Sequence, residues 1–315
     1  MSFEGVFAQL FSMVLALLLA PLLMGWVNQW RAWLQNRSAP PLLQPFRMLH
    51  KLFWKESVMA HEATSLYRMA PYIVFACMLL ASMIIPTLST NLPLAPAADA
   101  IALVGLFAVA RLFISLAAMD VGTAFGTLGA RREMLIGSLA EPAFLMVLFT
   151  ASLISDSTSL AKIVDAMSAR QFSILPSLAF AGVAFTMVSL AENARIPVDN
   201  PATHLELTMI HEALVLEYSG RHLALLEWAA ALKLFAYSCA GLALFFPWGV
   251  AQARDYVALT FALPVLVAKL AIGGFLLALI ETVLAKMRIF RVPEFLATAF
   301  LLGVLSLLVH ILLGA

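Results

Sequence analysis

The chain has 315 residues, of which 63% are hydrophobic and only 12% are charged, and its formal net charge is +1. Soluble domains carry about twice that fraction of charged residues, because polar groups must cover much of their surface. The composition therefore excludes an ordinary soluble enzyme, a nucleic-acid-binding protein and a disordered chain. Long unbroken apolar runs exclude a membrane β-barrel, whose strands alternate. We predict an all-α polytopic membrane protein that forms a single integral membrane domain over residues 1–315.

Eight apolar segments are long enough to cross a bilayer, since about 20 helical residues span about 30 Å of hydrocarbon. In chain order they lie near residues 5–27, 70–88, 99–118, 142–160, 173–191, 223–246, 257–281 and 295–313. The sequence therefore predicts about eight transmembrane helices joined by short loops.

The basic residues are divided unequally between the loops. The odd-numbered loops, at 28–69, 119–141, 192–222 and 282–294, hold 13 lysine and arginine residues, and the even-numbered loops hold 3. Because cytoplasmic loops retain the excess of basic residues, the odd-numbered loops are predicted to be cytoplasmic and both termini to lie outside. The basic amphipathic stretch at 47–56 is typical of a helix on the membrane surface. Simple anchoring explains these charges equally well without any partner.

Ionisable residues also occur in or beside the apolar segments, where facing lipid would cost about 2.5–3.5 kcal/mol for a charge at the bilayer centre. These residues are Arg111, Asp120, Glu141, Glu192, Glu227, Lys233, Lys269 and Glu281. Two interpretations remain open: interior ion pairs, such as Arg111 with Asp120 or Lys233 with Glu227, or a buried proton or ion path. The path is favoured by seven acids near the cytoplasmic ends of the segments, namely Asp120, Glu141, Glu192, Glu206, Glu212, Glu217 and Glu227.

Loop 5 is the densest polar stretch of the chain. Pro197 and Pro201 end the helix before it, and apolar residues at helical spacing predict an amphipathic helix over 202–217. His204 and His211 lie on its polar face, where hydrogen-bonded interfacial histidines are expected rather than a metal site. We expect no metal and no cofactor to be bound by this chain.

Loop 5 also carries a recognisable pattern. The run E-N-A-R-I-P-V-D-N-P at 192–201 is followed by Glu206-Leu207 and by Glu217-Tyr218-Ser219-Gly220. This pattern resembles the membrane subunit that joins the two arms of respiratory complex I. A similar subunit occurs in energy-converting membrane-bound nickel–iron hydrogenases, including formate hydrogenlyase and hydrogenase 4. The stretch at 119–133 and the pair Glu141-Pro142 resemble the hydrogenase branch rather than the quinone-reducing branch.

The resemblance implies a subunit of the bacterial cytoplasmic (inner) membrane without redox chemistry of its own. Its partners would be soluble hydrogenase-like large and small (Fe–S) subunits, antiporter-like membrane subunits and lipid. Fe–S clusters and a nickel–iron centre would be held by those partners. Acids that would couple redox chemistry to movement of H⁺ or Na⁺ are Asp120, Glu141, Glu192, Glu206, Glu217 and Glu227. Residues that would order loop 5 or serve docking are Arg195 and Asp199, expected as an ion pair, with Arg131 and Arg132.

Three other functions remain open at this stage. A quinone-site subunit of a complex I-type NADH-quinone oxidoreductase would use the same chain beside a lipid quinone. A stand-alone ion transporter would be expected to show an inverted repeat, which the sequence does not display. A purely structural anchor would tolerate amide substitution of all the acids.

Overall fold

The computed structural model describes residues 3–60, 63–90, 93–94, 97–169, 176–199, 210–250 and 256–313, and these are mostly helical. In chain order the helices are α1 (Phe3–Leu34), α2 (Gln44–Phe53), α3 (Ser65–Ile84), α4 (Ala100–Asp120), α5 (Ala124–Ser155), α6 (Leu160–Ala169), α7 (Pro176–Glu192), α8 (His211–Val215), α9 (Gly220–Phe245), α10 (Tyr256–Val283) and α11 (Val292–Leu313).

Seven of the described helices are long and apolar enough to cross a membrane, namely α1, α3, α4, α5, α9, α10 and α11. The apolar helix α7 has 17 described residues, and residues 170–175 just before it lie outside the described part. Each of the eight predicted segments overlaps one of these eight helices. The predicted all-α polytopic fold is therefore confirmed.

The boundary of the fourth segment differs most from the sequence prediction. Helix α5 begins at Ala124, well before residue 142, where the apolar segment was predicted to start. Thr123 caps its first turn by accepting a hydrogen bond from the backbone N–H of Gly126 at 3.3 Å. The sequence predicts residues 124–141 to lie outside the apolar segment, and this stretch contains the charged residues Arg131, Arg132 and Glu133. The first turns of α5 therefore form most of the predicted loop 3, after a short turn that follows α4.

The helices pack around α5, which contacts α4, α7 and α11, while α3 lies between α4 and α9, and α1 packs on α9 and α10. Aromatic rings fill the core where these helices meet. Tyr237 lies 4.7 Å from Phe107 and 5.3 Å from Phe144, and Phe144 lies 5.8 Å from Phe185, all between ring centroids. This apolar core surrounds the buried charges described below.

The amphipathic stretch predicted in loop 1 is observed as α2. The chain returns along α1 before α2 begins, so that the carbonyl of Leu42 lies where a side chain on Gly25 would be. Pro45 and Leu49 are buried, one turn apart, while Arg47 and Lys51 are exposed. Its apolar face therefore packs on α1 and α9, and its basic face points away from the bundle.

Candidate functional site

Arg111 of α4 is the centre of a buried group of charges. Its Nε donates to Oε1 of Glu133 at 3.2 Å, its Nη1 donates to Glu141, and its Nη2 donates to Glu192. Only 5% of the Arg111 side chain is exposed. A guanidinium carries five donors in a rigid fork, so a single arginine can satisfy three carboxylates at once.

The spacing of α5 explains how two of these carboxylates reach one arginine. Glu133 and Glu141 are eight residues apart, and Gly137 lies midway between them, so all three share one helical face. A Cβ at Gly137 would lie less than 3.0 Å from three atoms of the Arg111 side chain. Glycine at this position therefore makes the room that the guanidinium occupies.

Lys233 of α9 completes this group. Its Nζ donates to Oε2 of Glu192 at 2.9 Å, so Glu192 binds two cations through the same oxygen. We call Arg111, Lys233, Glu133, Glu141 and Glu192 the Arg111 cluster. It contains three carboxylates and two cations. Buried charges are tolerated only when they are paired and hydrogen-bonded, which is the arrangement here.

A second buried carboxylate, Glu281 of α10, binds two arginines. Nη1 of Arg195 donates to Oε1 of Glu281 at 3.2 Å, and Nη1 of Arg31 lies 3.5 Å from Oε2. The backbone N–H of Met287 donates to the carbonyl of Pro197 at 2.9 Å. Loop 5 is thus fixed to α10 and to the segment after α10, and Arg31 of α1 binds the same carboxylate as Arg195.

A cavity of about 250 Å³ lies between the Arg111 cluster and loop 5. One part of its wall is apolar and includes Met24, Val74, Met78, Phe107 and Ile114. The other part is charged and includes Arg31, Arg111, Glu133, Glu192, Arg195, Asp199, His211, Glu212, Glu227 and Lys233. The cavity therefore joins both buried charge groups to the start of α8.

One carboxylate oxygen in this wall has no hydrogen-bond partner among the described residues. It is Oε1 of Glu192, a side chain that is 1% exposed. The other oxygen of Glu192 binds both cations. Because a buried carboxylate oxygen without a donor is unfavourable, Oε1 is the oxygen of the cluster that most needs a hydrogen-bond donor.

The predicted coupling acids fall into three places. Glu192 and Glu227 line the cavity, and Glu141 joins Glu192 through Arg111. Glu217 is exposed just before α9, and Asp120 ends α4, so both lie apart from the cavity wall. Glu206 lies outside the described residues, as does most of the helix predicted over 202–217.

Asp120 binds the residue that caps α3. Its Oδ2 accepts from the backbone N–H of Thr64 at 2.8 Å, and its Oδ1 accepts from the Thr64 hydroxyl at 2.9 Å. Thr64 in turn caps α3. The pairs predicted between Arg111 and Asp120 and between Lys233 and Glu227 are therefore wrong, because Arg111 and Lys233 both bind Glu192 instead.

The residues predicted to order loop 5 are both buried in it. Arg195 binds Glu281, and Oδ2 of Asp199 accepts from the backbone N–H groups of Ile210 and His211 at 3.2 and 3.3 Å. Asp199 thereby holds the start of α8, and its carboxylate also attracts Arg132 of α5. Arg131 is exposed on the same helix.

Two stacked tyrosines close the side of the bundle next to loop 5. The rings of Tyr67 and Tyr218 lie 4.1 Å apart and nearly parallel, and the hydroxyl of Tyr218 donates to the carbonyl of Tyr67 at 3.0 Å. Burial, with the neighbouring Tyr67 and the Asp120 carboxylate, raises the pKa of Tyr218 above its ordinary value. Tyr218 therefore remains a hydrogen-bond donor throughout the physiological pH range.

Sequence reasoning named Arg111, Lys233 and Glu281 as buried charges but did not place them in the site, and it missed Glu133 and Arg31. The spacing of Glu133, Gly137 and Glu141 was an available signal, since residues four apart share a helical face. Among the described residues, no group of three or more His, Cys, Asp or Glu side chains is arranged to hold a metal ion.

Comparison with known proteins identifies the family. A sequence model described as NADH dehydrogenase matches residues 7–312. The chain belongs to the NADH dehydrogenase family. Two Escherichia coli relatives match over nearly their full length. Formate hydrogenlyase subunit 4 is 31% identical, and the match covers 90% of this chain and 93% of that protein. Hydrogenase-4 component C is 32% identical, and the match covers 93% of this chain and 92% of that protein. The resemblance seen in the sequence is thus confirmed.

Two more distant similarities agree with this family. One subunit of the NADH-quinone oxidoreductase of Symbiobacterium thermophilum is 33% identical over 53% of this chain and 52% of its own. A solved chain of the membrane-bound sulfane sulfur reductase, an archaeal respiratory membrane complex, matches 96% of this chain and 99% of its own. The TM-score is 0.80 at 21% identity, a likeness of fold. The family member described here is a multi-pass membrane protein.

Proposed function

We propose that this chain is the membrane-anchoring and energy-coupling subunit of a membrane-bound nickel–iron hydrogenase-type complex related to complex I. The observation that carries the proposal is the Arg111 cluster at the wall of a cavity that is also lined by Asn193, Ala194, Arg195 and Asp199 of loop 5. The full-length similarity to formate hydrogenlyase subunit 4 and hydrogenase-4 component C supports the hydrogenase branch.

The proposed setting is the bacterial cytoplasmic membrane, with the odd-numbered loops in the cytoplasm and both termini outside. In this setting the soluble large and small subunits dock on the cytoplasmic face and carry the nickel–iron centre and the Fe–S clusters. Exposed Arg131 on α5 and the basic face of α2 offer contacts on that face. Antiporter-like membrane subunits contact the bundle from the side.

In the proposed coupling step, Glu192 is the acid that receives a proton from the cavity. Its Oε1 has no donor among the described residues, while Arg111 and Lys233 hold Oε2. Protonation of Glu192 weakens its attraction for both cations and leaves Arg111 bound more strongly to Glu133 and Glu141. Glu227 lies in the same cavity wall and is proposed to carry the proton before it reaches Glu192. Asp120, Glu206 and Glu217 are proposed as more peripheral acids of the path.

The variant Glu192→Gln tests this step. Glutamine keeps the shape and a hydrogen-bond acceptor for Lys233 and Arg111 but does not exchange a proton. We expect the complex to assemble and to turn over, and the proton gradient formed per turnover in membrane vesicles to be lost. Glu294→Gln, an exposed carboxylate in the first turn of α11, is the matched control and retains the gradient. A full gradient in Glu192→Gln would contradict the coupling role.

A quinone-site subunit is the second candidate, and one observation favours it. The cavity is lined by both apolar and hydrogen-bonding side chains, which is the lining that amphiphilic small molecules require. Added quinone should then accept electrons from the purified complex, whereas the hydrogenase-type function predicts hydrogen evolution without quinone. Measuring both products in one preparation separates the two.

Two further functions would be recognised by their own measurements. A stand-alone transporter would move ions when this subunit alone is placed in liposomes. A purely structural anchor would keep full pumping when Glu141, Glu192 and Glu227 are all changed to glutamine. Neither outcome is compatible with the coupling role.

A further inference from the structure

We infer that the side chain of His211 carries protons from the cytoplasmic side of loop 5 to Glu227 in the cavity wall. The inference rests on the proposed function and deepens it by naming the residue through which protons enter the coupling path. The order of transfer is from His211 on α8 to Glu227 on α9, and from there to Glu192 at the end of α7.

The backbone that carries His211 is held in place from two sides. Oδ2 of Asp199 accepts from the backbone N–H groups of Ile210 and His211 at 3.2 and 3.3 Å. On the other side α8 packs on α5, where a Cβ at Gly129 would lie 2.8 Å from the Cβ of Ala213. Ile210 and Ala213 are buried, whereas His211 is partly exposed and lines the cavity.

Helix α8 joins the cavity to the surface of the subunit over a short distance. It has five residues, so about 8 Å of helix separates its ends. His211 at its start lines the cavity, and Leu216 and Glu217, which follow its end, are exposed. Loop 5 belongs to the cytoplasmic side in the proposed orientation. A partly exposed imidazole at this place can therefore exchange protons with cytoplasmic water.

Glu227 is the acceptor that fits this position. It lines the same cavity, and its carboxylate is attracted by His211. Along α9 it lies seven residues after Gly220, and Lys233, which binds Glu192, lies six residues further on. At about 1.5 Å per residue each of these steps is about 10 Å along the helix axis. Glu227 therefore lies between loop 5 and the Arg111 cluster.

The other charged groups of the cavity wall have partners of their own. They are Arg31 of α1, Arg111 of α4, Glu133 of α5, Glu192 of α7, Arg195 and Asp199 of loop 5, Glu212 of α8 and Lys233 of α9, with Arg132 of α5 beside Asp199. Glu133 and Glu192 bind Arg111, and Asp199 binds the start of α8. Glu212 and Glu227 are the two acids of this wall outside those contacts, and Glu227 is the one on the helix that leads to Lys233.

The proton transfer itself requires only the side chains and water. Imidazole gains and loses a proton near neutral pH, and either of its ring nitrogens can take part. The cavity volume of about 250 Å³ is far above the about 10–15 Å³ that one water molecule needs, so water can bridge the two side chains. The imidazolium N–H of His211 gives its proton through this water to the Glu227 carboxylate, which becomes neutral. A proton from cytoplasmic water then converts the neutral imidazole back to imidazolium.

His211→Gln and His211→Glu test the inference as a pair. The two side chains have nearly the same shape, but only glutamate exchanges a proton. In membrane vesicles that contain the complete complex, the gradient formed per turnover should fall about tenfold or more in His211→Gln and should be largely regained in His211→Glu. The matched control is His310→Gln, a partly buried histidine in the last turn of α11 and outside the cavity wall, which should retain the gradient.

Three outcomes would overturn the inference. A full gradient in His211→Gln would show that protons reach Glu227 without this side chain. An equal loss in His211→Gln and His211→Glu would show that the imidazole has a structural role. Failure of His211→Gln to assemble, measured by the subunit content and thermal unfolding of the purified complex, would show the same.

The two proposals fail in distinguishable ways. If the coupling role is wrong, Glu192→Gln retains the full gradient. If only the role of His211 is wrong, Glu192→Gln loses the gradient, while His211→Gln either keeps it or loses it to the same extent as His211→Glu.

Discussion

Ser219 and Val58 exchange two hydrogen bonds: the backbone N–H of Val58 donates to Oγ of Ser219 at 2.8 Å, and that hydroxyl donates to the carbonyl of Val58 at 2.8 Å. Beside them, Gly220 has a φ of 55° and packs so closely on the carbonyls of Lys55 and Glu56 that a Cβ there would lie less than 3.0 Å from both. The end of loop 1 and the start of α9 are therefore held together by the Ser219 hydroxyl and by close main-chain packing at Gly220.

Ser219→Ala should loosen this junction. Loss of two hydrogen bonds that are exposed to solvent should cost about 1 kcal/mol. We expect faster proteolysis or cysteine labelling at residues 55–58 in membranes, without loss of the fold. Ser138→Ala is the matched control, because that hydroxyl bonds only within its own helix. Unchanged labelling at 55–58 would show that Gly220 alone holds the junction.

Arg111→Lys should destabilise the protein although the charge is kept. A lysine ammonium does not reproduce the planar fork that reaches Glu133, Glu141 and Glu192 together, so at least one buried carboxylate loses its partner. Removing one partner of a buried ion pair typically costs about 3–5 kcal/mol. The measurement is thermal unfolding of the purified complex. Arg131→Lys, at an exposed position of α5, should leave the unfolding temperature unchanged.

Gly137→Ala tests the same cluster from the opposite helix. The added methyl group would overlap the Arg111 side chain and force it away from the carboxylates. We expect a lower unfolding temperature and impaired proton pumping. At Gly273 of α10 no atom lies within 4 Å of a Cβ, so Gly273→Ala should be neutral or slightly stabilising, in line with the higher helix propensity of alanine. Equal effects at both glycines would argue against a specific role for Gly137.

Tyr218→Phe should change stability at alkaline pH. The pKa of Tyr218 is raised in the folded protein, so above pH of about 10 the unfolded chain loses this proton while the folded protein keeps it. The stabilising contribution is complete below that pH and declines as pH rises. Phenylalanine removes this decline and also the hydrogen bond to Tyr67.

The expected result is a lower free energy of unfolding at neutral pH with a shallower fall from about pH 10 to about pH 12. Tyr72→Phe, at an exposed ring, should follow the unmodified protein over the whole range. An unmodified alkaline profile in Tyr218→Phe would mean that Tyr218 ionises normally in the fold.

The helices and the family could be predicted from the sequence, but the ion-pair partners of the buried charges could not. Hydropathy locates apolar segments because their composition is a local property. The choice between Asp120 and Glu192 as the partner of Arg111 depends on how α4, α5 and α7 cross, which is a property of the whole bundle. Charge spacing within α5 was informative, since Glu133 and Glu141 share a face, whereas the return of loop 1 to Gly25 has no such local pattern.

Lys269, a partly exposed cation of α10, binds backbone carbonyl groups. Its ammonium donates to the carbonyl of Phe246 at 2.6 Å and to that of Trp248, beyond the end of α9. The helical segments on that side of the Arg111 cluster contain no aspartate or glutamate from 142 to 155, from 176 to 191, from 234 to 250 or from 256 to 280. Under the proposed coupling role, a proton at Glu192 therefore has no aspartate or glutamate ahead of it in those helical segments.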